Sequence, residues 1–137
     1  PREYHRKLYY APFFAKFVNS IIPRKLSEEN DEPRLIIPFF DEYENLIGFQ
    51  GRAFSKNAVR YITIMLDESK PKIFGLDEVD WTKKVYVVEG PIDSMFIDNS
   101  MSDIQVSMIL EYSLLLSNET HSVLSMMVTL GIFITLL

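Results

Sequence analysis

Three settings in this 137-residue chain place side chains where they could do chemistry. Glu89 ends the apolar run Val85-Tyr86-Val87-Val88, and Gly90-Pro91 come directly after it. A run without polar interruption predicts a strand buried on both faces. Gly90 is read as the structural turn, permitting a tight bend or a close backbone approach, and Pro91 suits the first position of a helix. Ile92, Met95 and Phe96 then give the spacing of one buried helical face. The start of a helix favours the ionised form of a carboxylate at the strand's end, able to hold a divalent metal, and Asp93 is placed to accept hydrogen bonds in the first helical turn. Arg52 and Arg60, with Lys70 and Lys72, form the second and third settings, and their chemistry is the binding of phosphates. Taken alone, a single Glu after a strand is ordinarily a solvated loop carboxylate, and scattered cations are ordinarily a solvated face.

The elements that would position these groups can be read from periodicity. Tyr10, Phe13, Phe14, Phe17, Val18, Ile21 and Ile22 recur at helical spacing, with Pro12 in the first turn and Pro23 at the end, so residues 1–26 are expected to hold one amphipathic helix whose aromatic stripe is core. Arg2, Arg6 and Lys7 form a small basic cluster before it, and His5 stands without a second ligand at metal spacing. Ser27–Glu32 reads as a solvated acidic linker. From Arg34 the period becomes two, and the return run after Asp41–Asn45 makes a hairpin. Alternation places Ile47, Phe49, Gly51 and Ala53 on one face of its second strand and Gln50, Arg52 and Phe54 on the other. Pro38 implies an edge or a bulge in the first strand. Asn57–Leu66 is a further strand candidate.

Composition bounds the function classes. The apolar fraction of 47% excludes a wholly disordered chain, and a net charge of −5 argues against nucleic-acid binding by overall charge. Charge is nevertheless polarised: residues 27–45 carry seven acids against Arg34, whereas residues 51–72 carry five Lys or Arg against Asp67 and Glu68. Any nucleic-acid site must be local to that second stretch. With no cysteine, disulfides and cysteine-ligated zinc are excluded in these residues, which fits a cytosolic setting.

The string EGPID within VYVVEGPIDSMF resembles the first acidic motif of Toprim domains, as found in bacterial and bacteriophage DNA primases, topoisomerases and some nucleases. Upstream, PRLIIPFFDEYENLIGFQGRAF resembles the hairpin of the primase RNA-polymerase core that ends in a Gly-Arg pair, and RYITIMLDESKPKIFGL resembles the next stretch of that core. These motifs lie in the family's order over roughly residues 8–100, and phage-type primases are the nearest in pattern. The resemblance implies RNA primer synthesis on single-stranded DNA by metal-dependent nucleotidyl transfer. Glu89 would be catalytic, Glu89 and Asp93 would bind Mg²⁺ or Mn²⁺, and Arg52, Arg60, Lys70 and Lys72 would line the groove for template, primer and ribonucleoside triphosphate. A replicative helicase is a further partner that it implies, in the cytoplasm of a phage-infected bacterial host.

The family's second acidic motif, Asp-x-Asp, occurs nowhere in the chain, so the metal site is expected to be incomplete and the chain inactive alone. The expected architecture is an α/β fragment with an α+β front: a helical segment (1–26), a hairpin-rich basic subdomain (27–80), the first strand and helix of a Toprim parallel sheet (81–100), and an apolar tail (101–137). From Val85 onward there is no Lys or Arg in 53 residues, where an average globular stretch would carry roughly six. Ser122–Leu137 holds eleven Val, Leu, Met, Ile or Phe residues and no charge. That run is just short of a membrane helix, so it is read as an altered terminus, expected to fit poorly as a substitute strand or helix and to make a chain ending near Ser100 more soluble. His121 is given no role, and the Asn118 triplet would matter only in a secreted protein. Alternative classes are a Toprim nuclease, which shares the Glu motif without the Arg52 hairpin, and a non-catalytic membrane or interaction protein built on the tail.

Overall fold

The computed structural model describes residues 8–103, 125–127 and 133–136. The basic cluster before Leu8, His5, Asn118 and His121 lie outside the described residues, as does most of the apolar tail. The fold is mixed α and β, built on two sheets. Sheet A is antiparallel in the order β1 (Tyr9–Ala11), β2 (Arg34–Phe40), β3 (Leu46–Ala53), β4 (Tyr61–Met65), with α1 (Phe14–Ile21) between its first two strands in sequence.

The helix is shorter than its aromatic spacing predicts. Tyr9–Ala11 pairs with Ile36–Arg34 as a strand, and Tyr10 and Phe13 are exposed instead of being core. Phe14 and Val18 are buried, against Ile36, Phe49 and Ile64 of sheet A. The acidic linker is more than solvated chain. Asp31 accepts the Ala15 N–H at 2.7 Å and the Lys16 N–H at 2.9 Å, and the Glu32 carbonyl accepts the Phe14 N–H. A helix leaves its first N–H groups without internal partners, and here a side chain fifteen residues downstream supplies them.

Arg34 fastens this layer. It is 2% exposed, donates from Nη1 to the carbonyls of Gly51 (3.0 Å) and Val59 (2.8 Å), pairs with Glu32 through Nη2, and lies 5.4 Å from the centre of the Phe14 ring. Gly51 is required opposite that ring: a Cβ at this position would fall 2.3 Å from Phe14 Cε2.

The hairpin departs from plain alternation at one residue. Phe39 pairs with Gly48 but Phe40 with Leu46, so Ile47 is an extra residue in β3, and its carbonyl accepts the N–H groups of both Leu66 and Asp67. A bulge of this kind reverses the facing of the residues beyond it. Ile47 therefore joins Ile37, Phe39, Met65, Phe74 and Met95, on the opposite side of the sheet from Phe49. Pro38 sits beside the bulge, beyond the last residue of β2 that pairs with β1, where a missing donor costs nothing in the ladder. The turn is closed by Asp41, only 3% exposed, whose Oδ1 accepts the N–H groups of Tyr43 and Asn45, while Lys70 Nζ stands 3.4 Å from Oδ2.

Sheet B has the order β5 (Ile73–Phe74), β7 (Ser100–Asp103), β6 (Val85–Val88), β9 (Phe133–Leu136), β8 (Ser125–Met127). β6 and β7 are parallel, joined through the short helix α2 (Pro91–Ser94); the remaining pairs are antiparallel. Gly75 takes φ +84° at the start of a 3₁₀ turn over Leu76–Glu78, a conformation that side chains with a Cβ rarely adopt, which accounts for the Phe-Gly-Leu triplet. Met95 is buried and Ile92 half-buried, but Phe96 is 76% exposed because the helix stops after one turn. From the tail, Ile134–Leu136 pairs with Val87–Val85 and occupies the β6 edge opposite β7. Truncation near Ser100 would unpair that edge. The sheets meet where the Phe39 and Phe74 rings contact edge to face, 6.3 Å between centroids. Among the described residues no helix is long and apolar enough to cross a membrane.

Unfolding measurements test both buried charges. Arg34→Met, which keeps the apolar stem and removes the charged donors, should cost about 3 kcal/mol, and Asp31→Ala about 1 kcal/mol, in urea unfolding. A loss under about 1 kcal/mol for Arg34→Met would show that the guanidinium does not fasten the layer. For Asp41, burial opposes its charge, but the hydrogen bonds from Asn45 and Tyr43 and from Lys70 together hold its pKa below the ordinary 3.8. A depressed carboxylate pKa gives stability that is complete above the ordinary value and lost as pH falls through the folded one. Urea midpoints of the parent chain and Asp41→Asn should accordingly converge as pH is lowered below about 4; a constant gap down to the acid limit would contradict this.

Candidate nucleic-acid and metal-binding site

Cross-strand pairing carries the basic residues of sheet A onto one line. Tyr10 of β1 pairs with Leu35 of β2, Leu35 with Arg52 of β3, and Arg52 with Tyr61 of β4. Directly paired residues share a face, so these four side chains form a row across the whole sheet. Arg52 is half-buried, its Cζ 5.9 Å from the centre of the Tyr61 ring, and the exposed Arg60 lies 5.4 Å from the same ring. One tyrosine thus holds two guanidinium groups in place, each still able to donate to an anion. Among the described residues Arg52 Nε has no hydrogen-bond partner, and neither has Gln50 Oε1, a buried acceptor two positions along the same face of β3. Gln50 is itself fixed by its Nε2 donating to Thr63 Oγ1 at 3.1 Å.

The row lies on the same face of sheet A as the cluster it shares with sheet B. Leu35 packs against the cluster of Ile37, Phe39 and Phe74, and so do Ile92 and Met95 from the α2 turn. The segment bearing Glu89 and the strand neighbouring Arg52 are therefore anchored in one apolar cluster between the sheets. Glu89 comes directly after β6, is exposed, and lies at the carboxyl end of the parallel β6–β7 pair. Asp93 is exposed in α2, with Oδ2 where a Cβ on Gly90 would come within 2.7 Å. Gly90 itself is in ordinary extended conformation (φ −109°), so no special bend calls for a glycine there. One helical turn supplies few aligned peptide dipoles, which weakens the expected influence of the helix start on Glu89.

The other expected cations are placed differently. Lys70 is turned toward Asp41 at the hairpin turn, and Lys72 is half-buried just before β5. Neither is shown beside the Arg52 and Tyr61 row. Among the described residues no group of three His, Cys, Asp or Glu is arranged to hold a metal. Glu89 and Asp93 remain as two exposed carboxylates four positions apart in sequence, one before α2 and one within it. At the other, amino end of β6, Asn99 (φ +50°) accepts the Asp80 N–H and donates to the carbonyls of Asp80 and Lys84, tying the entry of β7 to the turn before β6. Spacing alone does not announce Tyr10 as part of this face, because its helical period with Phe13, Phe14 and Phe17 hides its place in a strand.

No family model matches the chain. Among curated proteins, it is similar to the DNA primase of Enterobacteria phage T4, with 41% identity over 103 residues that make up 74% of this chain and 30% of that primase. The chain thus spans about a third of the length of the curated relative it matches. About three quarters of this chain is thus a segment related to a phage DNA primase.

Proposed function

We propose that this chain is part of a Toprim-type DNA primase, contributing the nucleic-acid face and the first acidic motif of a nucleotidyl-transfer site that makes RNA primers on single-stranded DNA. The observation that carries the reading is the similarity to a phage DNA primase, joined to a local basic row in a net acidic protein. Arg52 and Arg60 would hold phosphates of template or incoming ribonucleotide, while Lys72 stands apart from the row and Lys70 is engaged by Asp41. Glu89 and Asp93 fit a single Mg²⁺ or Mn²⁺, since Mg²⁺ commonly uses one or two carboxylates with water and substrate phosphates. When bound, such a metal lowers the cost of charge on the attacking hydroxyl and the departing pyrophosphate.

Two carboxylates do not complete a two-metal set, and no Asp-x-Asp is present to extend it. The chain alone is therefore the carrier of binding without turnover. Its partners in this reading are the single-stranded template, ribonucleoside triphosphates and a replicative helicase, in the cytoplasm of an infected host.

Incubated with single-stranded DNA, ribonucleotides and Mg²⁺, the chain should bind the DNA but release no primer. Dinucleotide formation above a Glu89→Ala control would show that the carboxylate set is complete. Replacing both Arg52 and Arg60 by Ala should flatten the dependence of log affinity on log salt by about 1.4, the effect of two lost phosphate contacts to a single strand. Unchanged affinity and slope would remove the assignment of this face.

A further inference from the structure

The row on sheet A ends in aromatic rings that the fold does not use. Tyr10 and Phe54 are 63% and 59% exposed, yet their ring centres lie 5.9 Å apart, tilted by 49°. Tyr10 is on β1 and Phe54 just past the end of β3, so the pair stands at one end of the row whose other end is Tyr61 with Arg52 and Arg60. Residues 50–60 contain Arg52, Lys56 and Arg60 and no acid. Paired exposed rings are costly in water unless they meet a partner. Here the partner must be anionic and must offer flat apolar faces.

We infer that Tyr10 and Phe54 form a stacking platform for unpaired nucleobases of a single strand whose phosphates lie along Arg52 and Arg60. Three strand intervals separate Tyr10 from Tyr61, about 14 Å, enough for bases and backbone of one strand to be engaged together. A duplex keeps its base faces inside the helix and cannot use such a platform, whereas every unpaired base presents a π face. The inference rests on the primase reading and adds to it the means by which single-stranded template is distinguished from duplex.

The test compares fluorescein-labelled oligo(dT) with an abasic oligomer of equal length, by anisotropy, on the full chain. The parent chain should bind oligo(dT) about tenfold more tightly than the abasic strand. Tyr10→Ala with Phe54→Ala should bring oligo(dT) down to the abasic level with the salt dependence unaltered, and Tyr10→Trp with Phe54→Tyr should restore the preference. If the double Ala variant keeps the parent's preference while Arg52→Ala with Arg60→Ala loses binding, the platform is refuted and the primase reading stands. Equal loss of both probes in the double Ala variant likewise refutes stacking. If the parent chain binds neither probe, both readings fall.

Discussion

A buried cation holds the first sheet together. Arg34 reaches from β2 to carbonyls on β3 and in the loop before β4, to Glu32 in the linker, and over the Phe14 ring of α1. Each partner belongs to a different segment, so removing the guanidinium leaves several polar groups unsatisfied at once. The same arrangement sets what neighbouring positions can be. Phe14 closes over Gly51, the glycine of the Gly-Arg pair, and Gly51 admits the ring because it has no side chain. Arg52, one residue on, is thereby aimed to the other face, where Tyr61 receives it. A buried arginine on one face thus supports an accessible one on the opposite face.

Much of this was legible in the sequence where a local pattern and its environment agree. Val85–Val88 forms a strand, as its unbroken apolar run predicts. The hairpin closes at Asp41–Asn45. The illegible part depends on contacts made across the chain. Asp31 looks like one more solvated acid among seven, and only the folded structure shows it at the start of α1. Tyr10 fits a helical period and is nonetheless drawn into a strand by pairing with Leu35. Phe96 has the spacing of a buried face, but the helix ends before that spacing can act.

The candidate site shows the same division. The resemblance of their motifs singled out Glu89, Arg52 and Arg60, and the paired strands explain how Arg52 and Arg60 come to flank one tyrosine. Lys70 carries the same charge but is claimed by a buried carboxylate, which no count of basic residues reveals. The tail illustrates the opposite case. Its apolar composition suggested a substitute strand or helix of poor fit, and Ile134–Leu136 lies as a strand along the edge of β6.

The bulge at Ile47 makes β3 a wall shared by two rooms. Before it the strand furnishes the cluster between the sheets, and after it Phe49 furnishes the cluster under α1, although both residues have the same parity in sequence. Chain length in this strand is therefore a phase setting. Deleting Ile47 would restore simple alternation and remove one isoleucine from the inter-sheet cluster, leaving a void beside Phe39 and Met65, while every residue beyond kept its place.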